Sequence, residues 1–429
     1  MKSKIKVLTI VGTRPEIIRL SRVISLLDQH VNHIIAHTGQ NYDYELNEIF
    51  FKDLELRKPD FFLNVDVSSL EASVGDIIRK SGELLRKEKP DALLVLGDTN
   101  SCLSAYMAKR LHIPIFHMEA GNRCFDFNVP EEINRRIIDH IADFNLVYTE
   151  HARRHLISEG LPHRRIYLTG SPMFEVLNYY KSKIEASSIL KDLRLDGTGT
   201  GYGVRGAGKT NTKTSARDAT ANHQSPGRAL RKSPVGYFSE GASLQGSTNH
   251  YFLVSTHREE NVDNPVNLNK ILIVLNKLAE NYKLPVIVST HPRTRKRLEN
   301  IKEISLNPLI TFLKPFGFLD YIHLQMNALC TISDSGTISE ESAILNFPAI
   351  SIRQSMERPE SQDAGTIILS GFDPDVVLAS IDLAIKEHNL NVPKLPSVDY
   401  FVPDTSWRVL KLILGLSSLS NKWHGINQK

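Results

Sequence analysis

Short apolar runs alternate with amphipathic stretches along the first part of the chain. The apolar runs predict strands at Ile5–Val11, His33–Ala36, Ala92–Leu96, Ile113–Phe116 and Asn145–Tyr148. The stretches between them have helical spacing and predict helices at Pro15–Asp28, Leu70–Lys87, Cys102–Arg110 and Glu132–Ala142. Short, fully apolar strands that are separated by amphipathic helices indicate a parallel sheet with helices on its faces.

The same alternation restarts near residue 251. It predicts strands at Tyr251–Val254, Pro285–Val288, Leu309–Leu313, Cys330–Ile332 and Ala349–Ile352, and helices at Pro265–Tyr282, Leu319–Ala328 and Ile338–Leu345. A chain of 429 residues is natural for two domains. We expect an α/β protein with two Rossmann-like, doubly wound domains facing a cleft, residues 1–172 and 173–400. Residues 401–429 are expected to form a C-terminal helix, at Ser406–Leu419, that packs back on the first domain.

Residues 196–249 interrupt the second domain with a different composition, rich in Gly, Ser, Thr, Ala and Asn and poor in Leu, Ile and Val. Such a segment cannot bury enough apolar area to offset its ordering entropy, so we expect it to be disordered. It contains a formal match to the Walker A phosphate loop at 203–210, but lacks the strand and helix that this motif needs around it. A linker, a recent insertion and a sequence artefact are the interpretations left open.

Composition narrows the possible function classes. The segment 196–249 has seven basic and three acidic residues and so accounts for the whole formal net charge of +4. The rest of the chain is neutral overall, which gives no support to a nucleic-acid-binding face. No apolar run reaches about 18 residues, so no membrane span is expected, and the basic, then apolar N-terminus fits a first strand better than a signal peptide. Cys102, Cys124 and Cys330 are scattered without metal spacing. They favour free thiols, a cytoplasmic location and no metal.

The densest group of ionisable residues lies in FHMEAGNRCFDFNVPEEINRR, at 116–136, at the end of a predicted strand. Another acidic loop, GDTNS at 97–101, follows the preceding predicted strand. The carboxyl ends of parallel strands meet at one edge of a sheet, where open α/β folds hold ligands. The candidate acid/base groups are therefore Asp98, Glu119 and Glu131, and Arg123 and Arg135 are candidate substrate contacts.

Two predicted helix starts have the character of anion sites, because free backbone N–H groups and arginines attract phosphate. The motifs are GTRPEIIRL at 12–20 and SDSGTISEES at 333–342. Ordinary capped, solvated helix starts are the alternative for both. The candidate residues are Arg14 and Arg19 in the first motif, and Ser335, Gly336 and Thr337 in the second, where the carboxylates of Glu340 and Glu341 are able to accept the hydroxyls of a ribose.

Further charged residues follow strands of the second half. STHREENVD places His257 and Arg258 after its first strand, and MERPE places Arg358 in a loop after its last predicted strand. A lone histidine is more often structural than catalytic, but this one has charged neighbours. Together the motifs favour a nucleotide diphosphate held between two domains, with its sugar against the carboxylates.

The ordered motifs GTRPE, GDTNS, HMEAGNR, PEEINRR, THREEN, SDSGT and ERPE resemble the non-hydrolysing UDP-N-acetylglucosamine 2-epimerase family, outside residues 196–249. TGQNYDYELNEIFF, GDTNSC, HMEAGNRCFD, TGSPMFEVLN and STHPRTRKRLE are similar to its branch that makes UDP-N-acetyl-L-fucosamine. That branch epimerises UDP-2-acetamido-2,6-dideoxy-L-talose for capsule or O-antigen synthesis. The resemblance implies a glycosyltransferase-B type fold and a homodimer with no cofactor or metal.

The resemblance also implies roles for individual residues. Acid/base roles fall on Asp98, Glu119 and Glu131, and a catalytic or phosphate-facing role falls on His257. The remaining implied contacts are Arg14, Ser335, Gly336 and Thr337 to the diphosphate, Glu341 to the ribose, Phe316 and Tyr321 near the uracil, and Arg358 to the substrate.

Arg19 stands where the family usually has Lys, which leaves its diphosphate contact open. Three other departures from the family pattern bear on the substrate. Gln40-Asn41 replaces Gln-His, and Thr337 stands where most relatives have a glycine. The loop from Glu119 to Glu131 is also shorter than in the N-acetylglucosamine enzymes. These departures argue against N-acetylglucosamine as the sugar and against its activation of the enzyme at a second site.

The implied chemistry is elimination followed by re-addition. Loss of UDP from C1 makes the C2 proton removable, one carboxylate takes it, and a second group returns a proton to the opposite face. Which carboxylate acts on which face stays open. The alternatives are a UDP-N-acetylglucosamine/UDP-N-acetylmannosamine 2-epimerase, a glycosyltransferase of the same architecture, an epimerase that releases free sugar and UDP, and a catalytically silent nucleotide-sugar sensor.

Overall fold

The computed structural model describes residues 4–39, 44–196, 251–256, 258, 261, 263–290, 292–298 and 305–426. The first half of the chain forms a seven-stranded parallel sheet. Its strands are β1 (Lys6–Val11), β2 (Asn32–His37), β3 (Phe61–Phe62), β4 (Ala92–Leu96), β5 (Ile115–Ala120), β6 (Phe144–Val147) and β7 (Ile166–Leu168). Apart from Asp196, the predicted insert at 196–249 lies outside the described residues.

The helices of this half alternate with the strands. They are α1 (Arg14–His30), α2 (Tyr44–Asp53), α3 (Leu70–Glu88), α4 (Ser104–Arg110), α5 (Pro130–Ile141), α6 (Glu150–Ser158), α7 (Met173–Glu185) and α8 (Ile189–Asp192). The strand order across the sheet is β3-β2-β1-β4-β5-β6-β7. The order reverses between β1 and β4, and ligand crevices of doubly wound sheets lie at such a reversal.

The second half repeats the plan with a six-stranded parallel sheet in the order β10-β9-β8-β11-β12-β13. Its strands are β8 (Phe252–Thr256), β9 (Val286–Thr290), β10 (Ile310–Leu313), β11 (Cys330–Ser333), β12 (Ala349–Ser351) and β13 (Ile368–Leu369). Its helices are α9 (Pro265–Tyr282), α10 (Pro292–Leu298), α11 (Phe318–Asn327), α12 (Ile338–Leu345), α13 (Pro359–Asp363) and α14 (Pro374–Asn389), and α15 (Thr405–Trp423) ends the fold. The predicted α/β class with two doubly wound sheets is confirmed.

Side-chain alternation along β1 builds the core on both faces of the first sheet. Val7 and Val11 join one cluster with α1, whereas Leu8 and Ile10 join another with α3 and α4. Successive strand residues point to opposite faces, so both faces are apolar when helices cover both. A stripe of apolar residues from Ile17 to Leu27 turns α1 toward this core.

The last helix, α15, returns to the first domain. Val409 and Ile413 are buried in the cluster that contains α1, and the Thr405 hydroxyl donates to the carbonyls of Thr169 (3.2 Å) and Ser171 (3.1 Å). Helix α7, which lies beyond the boundary predicted at residue 172, packs on α1 as well. Helix α15 therefore ties the second half of the chain to the first.

One predicted strand end is wrong. The strand β5 continues to Ala120, four residues past the predicted end at Phe116, because the polar residues His117 and Glu119 are themselves buried in the sheet. The criterion of an apolar run stops at the first polar residue and misses this extension. Within the described residues, no helix has the length and apolar character needed to cross a membrane.

Candidate active site

The loops after β1 and β4 meet at the reversal point of the first sheet, and Glu16 joins them. Its carboxylate accepts the Thr13 N–H (2.9 Å) and the Ser101 hydroxyl (2.5 Å), and also contacts the Gly12 N–H and the Thr99 hydroxyl. Burial raises the pKa of Glu16, and these hydrogen bonds oppose the rise. Sequence reasoning missed this link, although T-x-x-E at 13–16 is a capping-box signal.

Glu119 occupies a bulge in β5. The register between β5 and β6 shifts between Met118 and Ala120, and the φ angle of Glu119 is +66°. Bulges re-aim side chains beside active sites, and a left-handed conformation at a non-glycine residue is costly. Gly97, with a φ of +72°, makes room here, because a Cβ at this position would lie only 3.2 Å from the Glu119 Oε2.

The Glu119 carboxylate bridges arginines from both halves of the chain. Its Oε2 contacts Arg19 Nη1, and its Oε1 lies 2.7 Å from Arg358 Nη2. The other guanidinium nitrogen of Arg358 contacts Glu340, so charges of alternating sign cross the cleft. Burial raises the pKa of Glu119, but the charges of Arg19 and Arg358 outweigh it and the net direction is down.

Asp98 lies beside this chain of charges and has the opposite pKa shift. Its Oδ2 is 2.6 Å from Arg135 Nη2, and its side chain is 24% exposed. Burial raises the pKa of Asp98 to about 6 against the opposing charge of Arg135, and the charges of Glu119, Glu357 and Glu131 add to the rise. Two of the predicted acid/base carboxylates, Glu119 and Glu131, thus lie within electrostatic reach of the third, Asp98.

Three arginines contact the carboxylate of Glu357, next to Asp98 and Arg135. This carboxylate accepts from Arg353 (2.8 Å), Arg258 (3.1 Å) and Arg135 (3.4 Å). Burial raises the pKa of Glu357, but the charges of Arg258, Arg353 and Arg135 hold it well below its usual range. Sequence reasoning missed Glu357 and Arg353, although their i, i+4 spacing after β12 was a usable signal.

The SDSGT motif forms the turn between β11 and α12. The Ser335 hydroxyl lies 2.9 Å from the Thr337 hydroxyl and accepts the Thr337 N–H at 3.3 Å. A Cβ on Gly336 would lie 2.9 Å from the Glu357 Oε2, so the turn sits directly over the arginine cluster. A helix start above guanidinium groups is a favourable environment for a phosphate.

Comparison with known proteins identifies this architecture. A family model described as UDP-N-acetylglucosamine 2-epimerase matches residues 26–199 and 231–414. The chain belongs to the UDP-N-acetylglucosamine 2-epimerase family. The two facing sheets are the glycosyltransferase-B type arrangement of this family, as expected.

Three similar proteins illustrate the family. A UDP-N-acetylglucosamine 2-epimerase structure from Rickettsia bellii is 44% identical, with a TM-score of 0.80, and the match covers 98% of this chain and 100% of that one. The UDP-GlcNAc 2-epimerase of Methanocaldococcus jannaschii, solved with UDP-GlcNAc and UDP, is 29% identical, with a TM-score of 0.78 and coverage of 96% and 99%. The UDP-2,3-diacetamido-2,3-dideoxy-D-glucuronate 2-epimerase of Pseudomonas aeruginosa is 31% identical over 87% of this chain and 91% of its own. The chain is accordingly a UDP-sugar 2-epimerase, a non-hydrolysing isomerase.

In this epimerase the residues expected near the uridine come together. Gln325 Nε2 donates to Glu341 Oε2 at 2.8 Å. Burial and the charge of Glu341 raise the pKa of Tyr321 well above its usual value, so the phenol lies within electrostatic reach of that carboxylate. Phe316 and Tyr321 both pack against the apolar cluster that contains Leu324.

Other predicted contacts lie in different surroundings. Arg123 is 1% exposed, and its guanidinium pairs with Asp139 (2.7 Å) and Glu159 (2.7 Å) inside the epimerase. Such a position holds the segment after β5 in place. Arg14, the first residue of α1, is half-buried, with its guanidinium carbon 5.6 Å from the centroid of the Phe50 ring. His257 lies outside the described residues.

Replacement of Gly336 by alanine should weaken UDP binding by about 10- to 100-fold. The new methyl group would press on the Glu357 carboxylate, which three arginines hold in place, and overpacking of this kind costs about 1–3 kcal/mol. Calorimetric titration with UDP measures the change. Gly75→Ala is the matched control, because a Cβ there meets nothing within 4 Å. Equal UDP affinity in Gly336→Ala and Gly75→Ala would contradict the placement of the diphosphate.

Proposed function

We propose that this UDP-sugar 2-epimerase converts UDP-2-acetamido-2,6-dideoxy-L-talose to UDP-N-acetyl-L-fucosamine. The motif set of that branch supports the substrate, as does Thr337 at the diphosphate turn, where most relatives have a glycine. The product is a building block for capsule or O-antigen synthesis, and we expect it to be made in the cytoplasm. The observation that supports the epimerisation chemistry is that Asp98 and Glu119 lie in one arginine-rich cleft and that their pKa values are shifted in opposite directions.

The reaction proceeds by elimination. The bond between C1 and the UDP oxygen breaks, its electron pair leaves with UDP, and a carboxylate takes the C2 proton, which gives a C1=C2 glycal. A proton then returns to the opposite face of C2 as the UDP oxygen re-forms its bond to C1. Preorganised positive charge stabilises the departing diphosphate, and Arg358 and Arg19 supply it.

Unequal pKa values suit the two carboxylates to different tasks. Asp98, with a pKa of about 6, is close enough to neutrality to exchange a proton efficiently, and we assign the removal of the C2 proton to it. Glu119 is a weak base while arginines hold it. Because a diphosphate competes for the same guanidinium groups, its arrival raises the pKa of Glu119, so that Glu119 can hold the proton that it returns to the opposite face of C2.

The assignment of Asp98 predicts the acid side of the pH profile. Asp98 accepts a proton only when it is ionised, so kcat/KM should fall about tenfold for each pH unit below about pH 6. Initial rates between pH 5 and 8 at subsaturating UDP-sugar test this, after a check that the protein recovers full activity from each pH. A profile that is flat down to pH 5 would contradict the assignment.

Product analysis tests the substrate. The purified protein is given UDP-2-acetamido-2,6-dideoxy-L-talose or UDP-N-acetylglucosamine, and the products are identified by proton NMR. We expect kcat/KM to be higher for the L-sugar, with no stoichiometric release of UDP and no transfer to an added acceptor sugar. Preference for UDP-N-acetylglucosamine would overturn the L-talose proposal and leave the epimerase chemistry standing.

A UDP-N-acetylglucosamine 2-epimerase is the second candidate. It is favoured by the Rickettsia bellii structure, which bears that description and is 44% identical to this chain. The two candidates share the same elimination and the same carboxylates, and they differ in the sugar that the cleft accepts. The substrate comparison above separates them.

We also propose that the enzyme is a homodimer. An exposed apolar surface lies on and before α5, where Ile133 and Ile137 share a face and Arg136 covers the rings of Phe125 and Phe127. Contiguous exposed apolar surface of this kind marks an interface, and a second copy of the chain is the occupant that we propose. Light scattering should show a dimer for the wild type and a monomer for the Ile133→Glu/Ile137→Glu variant. A monomeric wild type would contradict the proposal.

A further inference from the structure

Tyr148 lies next to the Glu119 bulge, one residue beyond the end of β6. The preceding residue, Val147, pairs with Ala120 across the two strands. The Tyr148 side chain is 3% exposed and belongs to the core cluster of the first domain. Its hydroxyl has no hydrogen-bond partner among the described residues.

Among the described residues, the buried hydroxyls of two tyrosines, Tyr148 and Tyr321, have no hydrogen-bond partner. Three other buried tyrosines use their hydroxyls: Tyr180 donates to the Leu54 carbonyl (2.5 Å), Tyr251 to the Leu324 carbonyl (2.7 Å) and Tyr400 to Glu360 (2.8 Å). A buried hydroxyl without a partner costs free energy, and phenylalanine would fill the same space without that cost. The hydroxyl of Tyr148 therefore calls for an explanation outside packing.

The charges around Tyr148 are those of the active site. Burial raises the pKa of Tyr148 well above its usual value, and the negative charges of Glu119 and Glu340 raise it further. The positive charges of Arg19 and Arg358 oppose this rise. These groups come from β5, α12, α1 and the segment before α13, so the phenol lies within electrostatic reach of the chain of charges. It stays protonated, and toward a carboxylate it acts as a donor.

We propose that Tyr148 is a positioning residue that donates a hydrogen bond to the Glu119 carboxylate once a bound diphosphate draws Arg358 away. The proposal rests on the proposed function for the identity of the ligand. In the ligand-free protein Arg19, Arg358 and Asn122 supply donors to Glu119. When Arg358 turns to a phosphate, the buried Glu119 carboxylate loses one hydrogen-bond donor, and the Tyr148 hydroxyl replaces it.

The replacement of Arg358 by Tyr148 as a donor to Glu119 has two consequences that a purely structural role of Tyr148 would not produce. The hydrogen bond forms only in the liganded state, so it contributes to the affinity for any ligand that carries the diphosphate. It also favours the charged form of Glu119, so its removal raises the pKa of this carboxylate in the complex with substrate.

Tyr148→Phe tests the proposal, with UDP itself as the probe. Calorimetric titration should show a Kd for UDP about tenfold higher in Tyr148→Phe than in the wild type. The thermal midpoint of the ligand-free variant should be equal or higher, because an unpartnered hydroxyl is removed. In turnover, kcat should fall about tenfold. In the reverse direction, where Glu119 removes the C2 proton, the acid limb of kcat should move to higher pH.

Tyr180→Phe is the matched control. It removes the hydroxyl of a buried tyrosine that is already satisfied, so it should lower the thermal midpoint and leave UDP affinity and the pH limb unchanged. Equal UDP affinity in the wild type and Tyr148→Phe would overturn the proposal, whether or not turnover is seen. A wild type without epimerase activity would overturn the proposed function separately, because the UDP titration does not depend on catalysis.

Discussion

Replacement of Asp98 by asparagine should lower kcat by about 10²- to 10⁴-fold and leave UDP affinity within about threefold of the wild type. Asparagine keeps the size of the side chain and an oxygen that faces Arg135, but it cannot accept a proton. The raised pKa of Asp98, about 6, is the property that is lost. Steady-state rates and UDP titration measure the two effects separately.

Asp126→Asn is the matched control for this prediction. Asp126 lies in the segment between Glu119 and Glu131, and its carboxylate accepts the backbone N–H (3.0 Å) and the side-chain amide (2.8 Å) of Asn128 at the surface. Its replacement should leave kcat unchanged. Full turnover in both Asp98→Asn and Glu119→Gln would show that neither carboxylate transfers a proton.

Replacement of Arg358 by methionine should lower the free energy of unfolding by about 3–5 kcal/mol at neutral pH. Methionine approximates the volume, but the carboxylates of Glu119 and Glu340 lose the guanidinium that lies between them. The loss of stability is large because the buried charges of Glu119 and Glu340 then lack a compensating positive charge from Arg358. Thermal and denaturant unfolding measure it, and UDP affinity should fall in the same variant.

The pH dependence of this loss has a definite sign. In the folded wild type the pKa of Glu119 is lowered, so its ion pairs stabilise the protein above the unfolded pKa and this stability is lost as the pH falls through the folded pKa. The cost of Arg358→Met should therefore be greatest near neutrality and shrink in acid. Arg79→Ala, which removes a 58% exposed arginine with two carboxylate partners, is the control and should cost less than about 1 kcal/mol.

Much of the fold followed from the alternation of apolar and amphipathic segments. The long central strands and the helices that cover them are strongly patterned, and they occur within a few residues of their predicted positions. The outer strands β3, β7 and β13 were not predicted. They contain two or three residues each, too few for a period to show, and backbone pairing with a longer neighbour defines them.

The site was predictable in its residue types and less so in its geometry. Asp98 and Glu119 stand out because carboxylates follow buried strands, and the structure brings them together. The bulge that aims Glu119 is a property of pairing between β5 and β6, which a single strand sequence does not express. Tyr148 reads as the last apolar residue of a strand, and its unpartnered hydroxyl becomes visible only when its neighbours in space are known.

The arginine partners show a different limit of sequence reasoning. Arg123 was a candidate substrate contact because it lies among acidic residues in the sequence, yet two carboxylates farther along the chain, Asp139 and Glu159, engage its guanidinium within the protein. Glu357, the residue before the candidate Arg358, received no role. Its contacts to Arg135, Arg258 and Arg353 join residues that lie as much as 222 positions apart in the chain, and no local pattern encodes such a contact.

Heavy-water exchange tests the central chemistry most directly. The wild-type protein is incubated with its best UDP-sugar in D₂O, and proton NMR follows the C2 position of the remaining substrate and of the epimer. Removal of the C2 proton and its return from solvent predict that deuterium accumulates at C2 of the epimer while the sugar stays attached to UDP. Epimer formed with protium retained at C2 would contradict the elimination mechanism.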